Sequence, residues 1–327
     1  MILAGDIGGT NTRLALYEPG APVRQPARQW HAASRDYPSL ESLVSRFLAD
    51  GPRPEAAAFG IAGPVVEGRC EATNLAWHVD ARAVAAALRI PHVVVINDLA
   101  ATGVGLGTLD ASELEYLQPG VPRPGNRALI AAGTGLGQSV LTPDGHGGWH
   151  PVATEGGHSD FAPSDPLEDE LLAWLRARHG HVSWERVLSG PGLADLYRFF
   201  SDTGRGAEPS GFAATFAASG DPALISHAAL AGDHERARLV VERWVRLYGA
   251  EAGNVALQAL AVNGTFVGGG IAPQLIAFLR APGFRDAFRA KGRLAGLLAG
   301  VPVAVVLDDR AALWGAAVTA QEAHAHA

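Results

Sequence analysis

Apolar residues recur at the strand period in some segments and at the helix period in others, which predicts an α/β protein. At the N-terminus an apolar run, Met1 to Ala4, and an alternating run, Thr12 to Leu16, flank the segment from Gly5 to Asn11. These runs predict two strands joined by a tight turn, in which Gly8 and Gly9 supply the necessary backbone freedom.

The next segments alternate between helix and strand signals. They predict a helix with an apolar face at 40–48, a strand at 56–62, a helix capped by Asp80 that ends near Arg89, and a buried strand from His92 to Ile96. Asn97 and Asp98 follow that strand and precede another helical pattern. Open α/β sheets bind ligands at the C-terminal ends of their strands, so these two residues are candidates for a site.

The N-terminal pattern returns in the second half of the chain. The segment from Leu129 to Leu141 is again an apolar run, a Gly-Thr turn and an alternating run, in which Gly133-Thr134 aligns with Gly9-Thr10. A third Gly-rich turn, 268–270, ends a predicted strand and precedes a helix. The pattern predicts two related domains with a cleft between them that the three turns could line.

The segment from Asn254 to Leu279 contains no charged residue, which is also a feature of membrane-spanning segments. Gly264, the run 268–270 and Pro273 interrupt it. We therefore predict a buried helix, a strand and a turn, and no membrane association.

Composition narrows the possible functions. The net charge of −7 over 327 residues argues against nucleic-acid binding. Cys70 is the only cysteine, so neither an intramolecular disulfide nor a cysteine-built zinc site can form. The strand pattern starts at Ile2 and leaves no room for a signal peptide, so the expected location is the cytoplasm.

The chain has a single lysine, Lys291, and no Gly-rich loop precedes it. This excludes a P-loop and the strand lysine of a protein kinase. Phosphate would have to be bound by backbone amides, hydroxyls and a metal ion. Asp6, Thr10, Asn11 and Thr12 place such groups on the first turn.

Several stretches in a fixed order make the chain similar to a known family. They are "GDIGGTNTRLAL", "DYPSLESL", "INDLAA", "GTGLG", "EGGHSDFAP", "GHVSWERVLSGPGLADLY", "GGGIAP" and "GFRDAFRAKGR". With them the chain resembles the bacterial ATP-dependent glucokinases, of the sugar-kinase and actin-like ATPase superfamily. The resemblance spans nearly the whole chain except residues 202–232, for which it implies no role.

The resemblance implies phosphoryl transfer from magnesium ATP to the 6-hydroxyl of glucose, the first step of glycolysis, in two related domains. The small domain would be 1–108 plus 298–327 and the large domain 109–297. The partners would be glucose, ATP and a second copy of the chain in a homodimer. A kinase for another hexose is the nearest alternative; a sugar-binding regulator and an actin-like ATPase are further ones.

It also implies roles for particular residues. The residues that would bind ATP are Asp6, Gly8, Gly9, Thr10, Asn11, Gly133, Thr134, Gly135, Gly137, Gly268, Gly269 and Gly270. Asp6 would hold Mg²⁺ through water, and Asp98 would be the catalytic base. Asn97, Glu155, His158 and Glu185, with Asp98, would bind the sugar hydroxyls.

Each of these polar residues also has a simpler interpretation. Asn97-Asp98 could only cap the next helix, and Glu185 could be a first-turn acid of a helix capped by Ser183. His158 could be merely solvated. With Glu155 and Asp160 it could also bind a metal, but zinc is not expected because the related zinc-containing sugar kinases need a cysteine cluster.

Overall fold

The structure is a computed structural model that describes residues 1–72 and 75–326. The strands are β1 (Ile2–Ile7), β2 (Asn11–Tyr17), β3 (Arg28–Ala33), β4 (Ala56–Ile61), β5 (Val65–Val66), β6 (Arg69–Glu71), β7 (His78–Asp80), β8 (His92–Asn97), β9 (Leu114–Gln118), β10 (Arg127–Ala132), β11 (Leu136–Pro143), β12 (Trp149–Thr154), β13 (Gly264–Gly268) and β14 (Val303–Val306). The helices are α1 (Leu40–Leu48), α2 (Ala81–Leu88), α3 (Asp98–Gly105), α4 (Pro166–His179), α5 (Gly190–Asp202), α6 (Phe212–Ser219), α7 (Ala223–Ala231), α8 (Glu235–Gln258), α9 (Ile271–Gln274), α10 (Ile276–Leu279), α11 (Pro282–Arg289), α12 (Ala295–Ala299) and α13 (Ala311–Ala325).

The chain forms two compact units. Unit 1 comprises 1–113, 141–153 and 308–327, and unit 2 comprises 114–140 and 154–307. The predicted large domain took in 109–113 and 141–153, which lie in unit 1, and the predicted small domain took in 298–307, which lie in unit 2. Strand β14 pairs there with β13 and β9. A strand of four residues carries no local signal for the sheet that it joins, so the sequence did not indicate this partner.

Unit 1 contains a five-stranded sheet of order β3-β2-β1-β4-β8. Strands β1, β4 and β8 are parallel, and Ile7, Ile61 and Asn97 stand side by side in the register. Their C-terminal ends therefore meet at one edge of the sheet. The predicted hairpin, the helix α1, the strands β4 and β8 and the Asp80 cap of α2 are confirmed.

Small residues bring α13 close to the rest of unit 1. Ala316, Ala317 and Ala320 pack in a core cluster with Ile2 and other residues of β1, β2 and β4. A Cβ on Gly315 would overlap the carbonyl oxygen of Ala101 in α3. The two helices can approach this closely only because Gly315 lacks a side chain.

The second sheet has the order β12-β11-β10-β13-β14-β9. Its first five strands repeat the arrangement of the first sheet, because β11 follows β10 through a short turn and β10, β13 and β14 are parallel. The fold is α/β with two similar sheets, as predicted. The uncharged segment forms the end of α8, then β13, a turn and short helices. No helix among the described residues is long and apolar enough to cross a membrane.

Helix α8 runs through the core of unit 2 and begins at a buried histidine. His234 is 1% exposed, and its Nδ1 accepts a hydrogen bond from the Ala237 amide at 3.2 Å. Its Nε2 lies 3.1 Å from the Tyr197 hydroxyl. Since Nδ1 accepts, Nε2 carries the proton and donates to that hydroxyl. Burial lowers the pKa of His234, with Glu208, Arg236 and Asp233 as its charged neighbours.

This histidine should make stability depend on pH. A histidine with a lowered pKa in the folded state stabilises fully above its unfolded pKa, about 6.5, and the stabilisation is lost as the pH falls below that value. His234→Asn keeps a side-chain acceptor at the N-cap and cannot take up the proton. We expect the decrease in unfolding free energy between pH 7.5 and 5.5 to be smaller in this variant than in wild type. Urea unfolding at both pH values measures it, and equal decreases would contradict the assignment.

Candidate active site

The turn between β1 and β2 is compact and is held from outside by hydroxyls. The Gly8 amide donates to the Asn11 carbonyl at 2.9 Å, and a Cβ on Gly8 would lie 2.9 Å from the same oxygen. The Ser34 hydroxyl donates to the Gly8 carbonyl at 2.7 Å and lies 2.9 Å from the Thr12 hydroxyl. The first predicted phosphate-binding turn is thus a fixed backbone structure.

Two carboxylates lie near this turn in unit 1. Asp6, next to last in β1, has a side chain that is 21% exposed and lies 3.8 Å from Arg13, which also pairs with Asp309. Burial raises the pKa of Asp6 to about 7; the Arg13 charge lowers it, and the Asp98 charge raises it further. The two carboxylates are therefore close enough to repel each other.

The donor set around Asp6 fits Mg²⁺. Mg²⁺ prefers carboxylate oxygens, usually binds one or two of them, and keeps several waters. A cation would also relieve the repulsion between Asp6 and Asp98. No group of three or more His, Cys, Asp or Glu side chains that could hold a metal ion occurs in the part of the chain that the structure describes. The absence of zinc remains a prediction.

Asn97 and Asp98 stand at the start of α3, and the structure separates their roles. Asn97 is the N-cap: its Oδ1 accepts from the amides of Leu99 at 2.9 Å and Ala100 at 3.2 Å, and its Nδ2 donates to Gly63 at 3.0 Å. Asp98 is the first helical residue, and its Oδ1 accepts from the Leu99 amide at 2.8 Å. The capping interpretation is confirmed for Asn97. The role of either residue toward a sugar stays a prediction.

The second and third Gly-rich turns lie together in unit 2. The Gly133 amide donates to the Gly135 carbonyl at 2.8 Å, and the Gly133 carbonyl accepts from Gly190, the first residue of α5. Gly269 has a φ of +83°, and a Cβ there would overlap the carbonyl oxygen of Ala132. Gly137, predicted as part of the second turn, lies within β11.

These two turns border a cavity of about 640 Å³. Its lining includes Gly133, Thr134 and Gly270 from the turns, and Arg186 and Arg198 from other segments of unit 2. Aspartates line the cavity too, and Arg198 pairs with one of them, Asp195, at 2.8 Å, so the lining carries charges of both signs. Arginines on the surface are common in this chain, so their position in the sequence alone gave no signal.

A buried tyrosine connects the strands that carry these turns. The Tyr248 hydroxyl of α8 accepts from the Ala132 amide at 3.1 Å, and its proton faces the carbonyl oxygens of Ile130 and Gly268, each at 3.2 Å. Burial raises the pKa of Tyr248, which keeps the phenol protonated. One hydroxyl thereby joins the C-terminal ends of β10 and β13.

The predicted sugar-binding residues of unit 2 form one cluster. His158 lies 3.9 Å from Glu155 through Nε2 and 3.9 Å from Glu185 through Nδ1. Both distances are too long for hydrogen bonds, so His158 hydrogen-bonds to neither carboxylate. Glu155 and His158 are 64% and 60% exposed, whereas Glu185 is 31% exposed. The arrangement presents carboxylates, which accept hydrogen bonds, and an imidazole, which can accept or donate them, so the cluster is able to bind hydroxyl groups.

Backbone contacts fix Glu185 beside the second turn. Its amide donates to the Gly157 carbonyl at 2.9 Å, and its Oε2 accepts from the Leu136 amide at 3.0 Å. The alternative in which Ser183 caps a helix containing Glu185 is wrong, because Glu185 lies in a turn and α5 begins at Gly190 with Ser189 as its N-cap. The Ser183 hydroxyl accepts from the Arg186 amide at 3.3 Å, so Ser183 caps this turn, whereas the Ser189 hydroxyl accepts from the Gly192 amide and caps α5.

Comparison with known proteins decides the family. A family model described as Glucokinase matches residues 3–323. The chain belongs to the glucokinase family. It is 39% identical to the glucokinase of Nostoc punctiforme over 337 residues, which cover 98% of each chain. It is also 39% identical to the glucokinase of Chromohalobacter salexigens, covering 96% of this chain and 95% of the relative.

Solved structures of the family share the fold. The crystal structure of a glucokinase from an Antarctic psychrotroph has a TM-score of 0.83 at 32% identity and covers 98% of both chains. A glucokinase from Balamuthia mandrillaris in complex with glucose has a TM-score of 0.80 at 22% identity, covering 98% of this chain and 93% of that one. This second likeness supports the fold alone.

The Tyr248 hydroxyl should be a large source of stability for a glucokinase-family core. Tyr248→Phe keeps the ring but leaves the Ala132 amide buried without its acceptor. We expect the unfolding free energy to fall by about 1–3 kcal/mol. Tyr17 is a matched control, because it is 0% exposed and its hydroxyl has no hydrogen-bond partner in the structure as described. Tyr17→Phe should leave stability unchanged or raise it, and equal losses in urea unfolding of the two variants would contradict this.

Proposed function

We propose that this chain transfers the γ-phosphoryl group of ATP to the 6-hydroxyl of glucose and releases glucose 6-phosphate and ADP. The family match over residues 3–323 carries the proposal. The clustering of Glu155, His158 and Glu185 supports a polyhydroxylated acceptor. The Gly-rich turns beside the cavity in unit 2 support a nucleotide donor.

Asp98 is the catalytic base of the proposed reaction. A sugar hydroxyl is a weak nucleophile, and a carboxylate within hydrogen-bond reach takes its proton as the bond to phosphorus forms. Asp98 stands at the C-terminal end of β8, where open sheets bind ligands. The Asn97 cap and the first turn of α3 hold the position of this residue.

The nucleotide has two sets of proposed contacts. In unit 1 these are the backbone of Gly8, Gly9 and Thr10 with Asn11, and Asp6 holds Mg²⁺ through water. In unit 2 they are Gly133, Thr134 and Gly135, with Gly137 in the strand that follows, and Gly268, Gly269 and Gly270 beside the adenosine. Bound Mg²⁺ supplies positive charge to the phosphates. Arg186, which lines the cavity, adds positive charge from the protein.

The acceptor contacts follow from hydrogen-bonding capacity. Glu155 and Glu185 accept from sugar hydroxyls, and His158 fixes their orientation by donating or accepting. Asn97 and Asp98 are the proposed contacts from unit 1. A cytoplasmic location, a homodimer and a role in glycolysis stay predictions.

Glucose should be the preferred acceptor. A site that hydrogen-bonds several hydroxyls rejects a sugar that lacks or inverts one of them, because its own polar groups are then left unpaired. An ATP-coupled assay over glucose, mannose, fructose and N-acetylglucosamine measures this. A higher kcat/KM for any of the other three would replace glucose as the substrate and favour the alternative of another hexose kinase.

Asp98→Asn should stop the chemistry without unfolding the protein. The amide oxygen can still accept from the Leu99 amide, but it cannot take the hydroxyl proton. We expect kcat to fall by about 10²- to 10⁴-fold, with a smaller change in glucose affinity and no decrease in Tm.

The control is Asn97→Ala, which removes the cap that the structure shows. It should lower stability by about 1 kcal/mol, while Asp98→Asn should not. If Asp98→Asn retained more than about a tenth of the wild-type kcat, Asp98 would not be the base.

A further inference from the structure

The single lysine of the chain lies in unit 2, away from the phosphate-binding turns assigned above. The Lys291 Nζ donates to the Ala250 carbonyl at 2.8 Å and to the Asn254 Oδ1 at 2.6 Å, both in α8. Gly253 makes room for it, because a Cβ there would lie 2.8 Å from the lysine Cε. The ammonium group is thus half-buried and anchored to α8.

A buried carboxylate lies next in the same network. Glu251 is 1% exposed, and its two oxygens accept from the Asn254 Nδ2 at 2.9 Å and the Gln138 Nε2 at 2.6 Å. Asn254 already offers its oxygen to Lys291, so only its amide hydrogens can face Glu251. A carboxylate accepts at both oxygens and therefore satisfies both neighbours. Burial raises the pKa of Glu251, while these hydrogen bonds and the Lys291 charge lower it.

Gln138 carries the network to the segment that bears Glu155 and His158. Its Nε2 is turned toward Glu251, so its Oε1 lies against Gly156, where a Cβ would overlap it. The Gln138 carbonyl accepts from the Thr154 hydroxyl at 3.3 Å, which in turn accepts from the Gly156 amide at 3.1 Å. Gln138 therefore contacts the loop between the two proposed sugar ligands through its side chain, and its backbone reaches the same loop through the Thr154 hydroxyl.

We propose that Lys291, Asn254, Glu251 and Gln138 form a polar brace that positions the Glu155–His158 loop for the sugar, and that Glu251 is a positioning residue for the acceptor. The proposal rests on the assignment of Glu155 and His158 to the sugar in the proposed function. Stability alone is a weak reason for such a network, because burying charged groups is often no more stabilising than burying apolar side chains of the same volume. The brace contacts the acceptor loop at Gly156.

Glu251→Gln tests the brace with little change in shape. A glutamine at position 251 has one oxygen that accepts and one NH₂ group that donates. Its NH₂ group therefore faces the NH₂ group of either Asn254 or Gln138, and those two groups cannot hydrogen-bond. The Gln138 amide then loses its fixed orientation beneath Gly156. We expect the KM for glucose to rise about tenfold, with the KM for ATP changed by less than about twofold.

Lys291→Met is the second variant, because it acts at the half-buried end of the brace and keeps the length of the side chain. It should raise the KM for glucose in the same direction by a smaller factor. If Glu251→Gln fails to fold, the KM for glucose of Lys291→Met alone tests the brace. The matched control is Glu208→Gln, which breaks a carboxylate pair with Arg236 at 3.0 Å elsewhere in unit 2. It should lower the Tm and leave both KM values unchanged.

The variants Glu155→Gln and His158→Ala test the assignment of these two residues to the sugar separately from the positioning role of the brace. If they raise the KM for glucose and the brace variants do not, the brace is refuted and the sugar site stands. If they leave the KM for glucose unchanged, the sugar assignment fails, and the brace fails with it. Equal increases in the KM values for glucose and ATP in Glu251→Gln would also overturn the positioning role.

Discussion

Where parallel strands end side by side, the backbone N–H and C=O groups beyond the last hydrogen bond between the strands have no partner in the sheet. Inside a core these groups need other hydrogen-bond partners. At the ends of β10 and β13 one phenol meets this need, because the Tyr248 hydroxyl contacts Ala132, Ile130 and Gly268. The turns that follow can then leave the sheet in different directions without orphaned amides. Their contact, at Gly269 against Ala132, requires both a positive φ and the absence of a Cβ.

The same requirement is met in unit 1 by smaller side chains. Ser34 satisfies the Gly8 carbonyl, and Asn97 satisfies two amides at the start of α3 and the Gly63 carbonyl. The Ser34 and Asn97 side chains are uncharged, so the negative charge at this edge of the sheet comes from Asp6 and Asp98. Burial is the main cause of the raised pKa of Asp6, and the Asp98 charge adds to it. The proposed Mg²⁺ would favour the ionised form of Asp6, because a nearby cation stabilises a carboxylate.

The parts of the fold and site that follow from local sequence were predictable. Strand and helix periods located both hairpins, and the position of Asn97 and Asp98 after a buried strand placed them at the sheet edge. Tyr248 and Gln138 were not found, because their roles depend on partners more than 100 residues away along the chain. The partner of β14 and the cap at Ser189 were missed for a related reason: in each case tertiary contacts choose between sequence positions of similar local propensity.

The hydrogen bonds of Lys291 also determine how the folded protein reacts with reagents that modify lysine side chains. Its Nζ is held by two acceptors in α8, and it is the only lysine of the sequence. In an unfolded chain these hydrogen bonds are lost and the amine is free to react. Modification of this lysine therefore reports on the integrity of unit 2 around α8.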